Sequence, residues 1–297
     1  MGSHIARSSQ PQKRTGPFRT IAVFIIVFLI SCLILGGVGG VFLLMSRDND
    51  RPEASVPPAD NAPLNFLLIG RAENAAAGFV LIRLNFKQGK IPVLSVPPET
   101  TVTYLGREDT LTGHMQYGGV RQATGAVAEA LGCPIDHYLM TDRAVLVNFI
   151  DKLGGINYYV PNRTTYGGSG SVLEAGNQRL TGSMAAGLLA SDDAGRQAKD
   201  AVLTDICVTM LNQYLSADLL TRAESLYSFA VDKIETNLRF SDFYELVPQM
   251  ESFFGTSTPA YAVDNGGGFV TRGGTEDEPF RFIFNDHSLS LIRGEFQ

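Results

Sequence analysis

The feature that most constrains this chain is the run from Ile21 to Met45, 25 residues without a charged side chain. As a helix rising ~1.5 Å per residue it reaches roughly 37 Å, more than the ~30 Å hydrocarbon core of a bilayer, so it can span with some tilt. The charges before it are all basic: Arg7, Lys13, Arg14 and Arg19. By the positive-inside bias they hold residues 1–20 in the cytoplasm and leave residues 46–297 outside the cell. Leu29-Ile30-Ser31-Cys32 is similar to a lipoprotein cleavage box, which leaves lipidation of Cys32 open. The apolar sequence nevertheless continues to Met45 and exceeds the ~7–15-residue core of a signal peptide. The expectation is therefore an uncleaved single-pass anchor in the plasma membrane. Gly36 and Gly40 form a G-x-x-x-G pair, read as ordinary membrane-helix glycine rather than a pairing face.

Beyond the anchor, the net charge of −6 conceals an asymmetry, because the residues after 20 carry 20 basic against 30 acidic side chains. An acidic body excludes nucleic acid as a partner, since phosphate backbones need a basic face. Cys133 and Cys207 are the two cysteines outside the span. Two are too few for a disulfide framework, and they are expected as lone core thiols.

Residues 46–63 are polar and proline-rich and are expected to form a stalk. From Leu64 to the end at 297, strand-like runs (65–69, 79–85, 91–96, 137–140, 156–160) alternate with helical patterns. Helices are predicted over 119–131, stopping at Gly132, over 143–153, stopping at Gly154-Gly155, and over 194–215, 219–229 and 240–254, the last capped by Ser241. A short helix is predicted to close the chain over 285–296. This alternation predicts an α/β domain with a mixed central sheet and helices on both faces. Between the runs Phe66–Ile69 and Phe79–Leu84, Gly70 is expected to open a loop ending in Ala75-Ala76-Ala77. Such a loop is where an enzyme on this scaffold would carry charged groups; here it is filled with alanine.

Chemistry-bearing motifs are sparse. Gly-rich residues 36–42 lie in the span and lack the lysine of a phosphate loop. His114, His137 and His287 show no paired metal-ligand spacing and read as structural. No G-x-S-x-G elbow occurs. Residues 105–113, "LGREDTLTG", are either a charged functional loop or a solvated turn, and Glu276-Asp277-Glu278 a solvated turn. "VLSVPPETTV" (93–102) presents Glu99 at the carboxyl end of a buried strand, where open α/β sheets bind ligands. Glu99 is thus a metal ligand, a base or a simple cap. "SDDAGRQAKD" (191–200) opens a helix with Arg196 and Lys199 on one face, a phosphate grip or its solvated side.

Taken in order, "NFLLIG", "VLSVPPET", "MQYGGVRQATGAVAEALGCPIDHYLMTD", "FIDKLGGINYYVP", "NQRLTGSMAA" and "KIETNLRFSDF" resemble the LytR-CpsA-Psr family of membrane-anchored cell-envelope phosphotransferases. The likeness covers about residues 64–297. It implies an enzyme that moves a glycopolymer from a polyprenyl-pyrophosphate carrier to peptidoglycan, usually with magnesium, and an apolar pocket for the lipid.

The departures fall on the chemistry. Ala72 and Ala75-Ala76-Ala77 stand where the family has an aspartate and then an Arg-Ser/Ala-Asp run. Pro97-Pro98-Glu99 replaces Pro-Arg-Asp, and Ala190-Ser191-Asp192 replaces Arg-x-Arg. Arg196 matches one basic position, and Lys199 stands where an arginine is usual. Phosphoryl transfer depends on metal and cationic clamps, and each lost group costs ~3–4 kcal/mol of transition-state stabilisation. Lysine does not copy the bidentate grip of arginine. The expectation is a catalytically degenerate protein with no cofactor. It would bind a polyprenyl-linked glycan or cell-wall polymer, or dock beside an active paralogue. The alternative is an active transferase rebuilt around Glu99, Glu73 as a metal ligand and the Arg196/Lys199 pair, with magnesium required only then. A transcriptional regulator is disfavoured, because the domain has no basic reading helix and lies outside the membrane.

Overall fold

The computed structural model describes residues 62–72, 75–166, 171–189, 196–214, 233–238, 259–271 and 280–297. Residues 1–20 expected in the cytoplasm, the expected span over 21–45, nearly all of the expected stalk, Glu73, the helices expected over 219–229 and 240–254, and residues 276–278 lie outside them. Among the described residues no helix is long and apolar enough to cross a membrane.

The described chain opens with three strands, β1 (Leu64–Ala72), β2 (Ala75–Leu84) and β3 (Pro92–Val96), then a hairpin of β4 (Thr101–Tyr104) and β5 (Arg107–Thr110). Helix α1 (Leu111–Leu131), strand β6 (His137–Asp142), helix α2 (Arg143–Leu153) and strand β7 (Ile156–Val160) follow. Three short strands, β8 (Thr164–Tyr166), β9 (Ser171–Leu173) and β10 (Gly176–Leu180), lead into α3 (Gly182–Leu189) and α4 (Arg196–Tyr214). The remainder is β11 (Glu235–Thr236), β12 (Tyr261–Ala262), β13 (Gly268–Thr271), β14 (Phe280–Ile283) and α5 (Asp286–Phe296).

The central sheet runs β11-β6-β1-β2-β3-β12 and is mixed: β1 is antiparallel to β2 and parallel to β6, and β2 is antiparallel to β3. β1, β3 and β6 therefore all end on one side of the sheet. Strict alternation along the strands divides its faces. Leu67, Ile69, Phe79, Leu81, Leu94 and Val96 point to one face, into a core shared with α1, α5 and β14. The other face carries Gly78 and Ser95 and is covered by α4, where a Cβ on Gly78 would stand 3.0 Å from Leu203. Helices thus cover both faces, as the alternation predicts.

Capping residues fix the helix boundaries. Asp142 accepts from the Val145 amide at 2.9 Å to start α2, and Asn285 accepts from Ser288 at 2.8 Å to start α5. Gly132 and Gly154 end α1 and α2 in the left-handed region. α5 is fastened by Arg83, buried beneath it, which donates to the main-chain oxygens of Phe296 and Gln297 at 2.5 Å each and to Asn65 Oδ1 at 3.2 Å.

Two expectations require correction. Residues 70–78 are not a loop, because pairing continues through Gly70↔Gly78, Arg71↔Ala76 and Ala72↔Ala75, leaving only residues 73–74 between the strands. Alanine and glycine tolerate an extended, closely paired backbone, so a stretch that reads as loop joins the sheet. α1 also begins eight residues earlier than the pattern indicates. Gly118 and Gly119 leave helical geometry inside it, and that break interrupts the periodicity just where the apolar spacing becomes regular. The "LGREDTLTG" stretch is accordingly neither open loop nor simple turn: it supplies the β4–β5 hairpin tip, β5 and the first turn of α1.

Candidate functional site

The carboxyl ends of β1, β3 and β6 define one mouth of the sheet. The β1–β2 hairpin overhangs it: β3 ends with Val96 opposite Phe79, so residues 75–78 project past that strand. The register shift between Gly70 and Arg71 leaves Ala77 as the extra residue of a β-bulge. Bulges recur beside active sites, where they re-aim side chains. Here the residue at the bulge is an alanine.

β3 is buried along its whole length and delivers the chain to a turn in which Thr100 N–H donates to Pro97 O at 2.9 Å. Glu99 is half-buried in this turn, and its main-chain oxygen accepts from Phe282 N–H at 2.9 Å. Across the mouth, α4 begins at Arg196, one turn before Asp200. Asp200 is 8% exposed, and its Oδ1 accepts from Ser95 Oγ at 3.3 Å. Burial, and then the charge of Glu99, push the Asp200 carboxyl up to about 7, against the opposing hydrogen bond from Ser95. Two acids therefore share the mouth, and the buried one is pushed toward its neutral form.

Of the predicted site residues, Glu99 lies at the mouth and Arg196 and Lys199 lie on the turn of α4 that leads to Asp200; Glu73 falls outside the described residues. Sequence reasoning passed over Asp200 and Ser95. Both left a trace: Ser95 is the one polar residue of β3, and Asp200 follows Arg196 by four, the spacing of one helix face. Among the described residues no three His, Cys, Asp or Glu side chains converge as a metal site. His114 is buried, with Nε2 3.2 Å from Val102 O, His137 stacks on Phe66, and His287 is exposed on α5. Cys133 and Cys207 are both free thiols; Cys133 sits in the α1–α5 core, where burial pushes it up to about 11.

A family model described as the LytR_cpsA_psr family matches residues 44–257, more than two thirds of the chain. The chain belongs to that family. The matched stretch contains Glu99, Ser95, Asp200 and the alanine overhang, while β12, β13, β14 and α5 lie beyond it. The chain is 24% identical over 253 residues to the polyisoprenyl-teichoic acid–peptidoglycan teichoic acid transferase TagU of Halalkalibacterium halodurans, covering 76% of this chain and 82% of that one. It superposes on the crystal structure of Bacillus subtilis TagV with a TM-score of 0.67 at 18% identity, covering 80% of this chain and 96% of that one. It also superposes on TagT bound to LIIa-WTA with a TM-score of 0.62 at 20% identity, covering 79% and 89%. At these identities the superpositions speak for the fold.

Proposed function

We propose that this protein is a membrane-anchored, extracytoplasmic LytR_cpsA_psr member that serves cell-wall glycopolymer assembly by binding, not by transfer. Its ligand is a polyprenyl-phosphate-linked glycan or a protein partner. The relatives named as teichoic acid transferases support the glycopolymer setting, and the 21–45 segment supports the anchor and the outward orientation. The observation that carries the binding reading is the mouth itself. Phosphoryl transfer needs cations around the transferring group, yet here Glu99 stands beside a buried Asp200, and its charge adds to burial in pushing that carboxyl up. A hard cation needs several converging oxygen ligands. Among the described residues no such set converges, so no step is assigned to magnesium.

One observation favours the second reading, an active transferase with a rebuilt site. A carboxyl that titrates near 7 is matched to general-base work at neutral pH. In that reading an acceptor hydroxyl attacks phosphorus, a mouth carboxylate takes its proton, and polyprenyl phosphate leaves. Calorimetry of the full-length chain in nanodiscs with polyprenyl pyrophosphate, with and without magnesium, separates the two. The binding reading expects magnesium-independent association and no product. Magnesium-dependent turnover abolished by Glu99→Ala or Asp200→Asn would establish the rebuilt enzyme in its place.

A further inference from the structure

On the far side of the 97–100 turn from Asp200 lies an open, polar cleft of about 340 Å³, lined by Arg107, Asp109, Thr110, Thr112, Gly113, Gln116 and Tyr117. That volume falls in the ~300–1,000 Å³ range of small-molecule sites. Tyr117 is 68% exposed, and the Arg107 guanidinium lies 4.5 Å from its ring centroid. Arg107 is held in turn by Asp109, to which it donates from Nε at 3.0 Å and from Nη2 at 2.5 Å. Burial alone would raise the Asp109 carboxyl, but the bonds from Arg107 and the Thr110 amide hold it below its ordinary value. A Cβ on Gly113 would collide with that carboxylate where it stands and would have to displace it.

Backbone strain brackets the same place. Tyr117 is the last residue before the break in α1, where Gly119 takes φ 69° and ψ −163°, a region open essentially to glycine alone. The facing hairpin turns through Leu105 at φ 51° and Gly106 at φ 78°, and Leu105 is 78% exposed. A leucine there costs ~1–2 kcal/mol relative to an ordinary conformation. A charge-balanced cleft thus carries an exposed aromatic, which Arg107 approaches, with an exposed leucine on the adjoining hairpin and strained backbone in both elements.

The chemistry selects among ligands. An anion is disfavoured: Arg107 and Asp109 cancel, and the amides at the start of α1 are already committed. Thr110 N–H donates to Asp109, Leu111 N–H to Thr100 O, Thr112 N–H to Pro98 O and Gly113 N–H to Thr110 Oγ1. A lipid tail is disfavoured by the polar lining. What remains is a ligand with flat apolar faces and a rim of hydroxyls. We propose that this cleft binds a neutral pyranose chain, one ring stacked on Tyr117 and its hydroxyls bonded to Asp109, Arg107 and Gln116. This deepens the reading above by giving the glycan portion of the ligand its own subsite, joined to the mouth through Pro98, whose carbonyl accepts from Thr112 N–H at 3.1 Å.

The test titrates the full-length chain in nanodiscs with lipid-free chitotetraose and maltotetraose, using calorimetry. The expected result is binding by at least one of them that weakens about tenfold, or ~1.4 kcal/mol, in Tyr117→Ala. Tyr117→Phe should keep it, and inorganic pyrophosphate should not compete. No heat from either sugar at about 10 mM, a concentration well above a millimolar Kd, would overturn the proposal. So would binding indifferent to Tyr117→Ala, or competition by pyrophosphate. Because these probes carry no lipid or phosphate, sugar binding at Tyr117 stands even if polyprenyl pyrophosphate fails to bind, and the reverse result sinks only the subsite.

Discussion

The two sides of the 97–100 turn handle charge in opposite ways. Toward α4, Asp200 and Glu99 are acids brought together, one of them buried and accepting a hydrogen bond from a serine hydroxyl. Toward α1, Arg107 and Asp109 are opposite charges locked together on an exposed rim. Protein interiors penalise an uncompensated charge by shifting its pKa toward the neutral form, whereas an oppositely charged neighbour favours the charged form and a surface pair contributes little stability. The mouth should therefore be sensitive to pH and the cleft to salt and to loss of its aromatic surface.

The largest expected effect lies on the acid side. Because Asp200 titrates near 7 when folded and near 3.8 when unfolded, the native state holds a proton that the unfolded chain releases across that window. Its contribution to stability is complete below pH 3.8 and is lost as pH rises toward 7, by at most about 1.4 kcal/mol per pH unit. Asp200→Asn should flatten this slope in thermal melts recorded from pH 4 to 8, and Glu99→Gln should narrow the window by removing the second acid. A wild-type profile that rises over this range would break the comparison.

On the cleft side, Gly119→Ala should cost ~1–3 kcal/mol by forcing a side chain into a glycine-only conformation, read as a shift in denaturation midpoint. Smaller again is Asp109→Asn, which removes an exposed ion pair worth ~0.2–1 kcal/mol; the difference from wild type should shrink in high salt. A large, salt-insensitive loss would mean that the pair is buried in function if not in structure. The smallest change is a gain: Leu105→Asn, better suited to the first position of a two-residue hairpin turn, should stabilise by up to ~1 kcal/mol.

Much of the sheet was legible in advance because its strands are dense apolar runs with clear ends. Ile156–Val160 matches its predicted bounds, and the α2 and α5 helices follow their patterns and caps. The 70–78 stretch misled because alanine and glycine carry no periodic signal; only the register reveals that they pair. α1 misled because Gly118-Gly119 divides it, hiding the turn that bears Tyr117. The candidate site was half visible. Glu99 stands at the end of an obvious buried strand, but its partner Asp200 lies about 100 residues on, and no local pattern announces that two acids meet across a sheet. Arg107 and Tyr117 are ten residues apart on a strand and a helix, and their stacking follows from the hairpin folding back on α1.

The central claim is that the fold persists while the transfer chemistry does not. It is tested most directly by following release of polyprenyl phosphate from a polyprenyl-pyrophosphate-linked glycan by the full-length chain, with peptidoglycan oligosaccharide as acceptor and magnesium present. The same assay is run on a variant carrying Ala72→Asp, Ala75→Arg, Ala77→Asp and Pro98→Arg. The account predicts no release above the protein-free rate for the natural chain, and magnesium-dependent release once those groups are restored. Magnesium-dependent release by the natural chain, lost in Glu99→Ala, would contradict it.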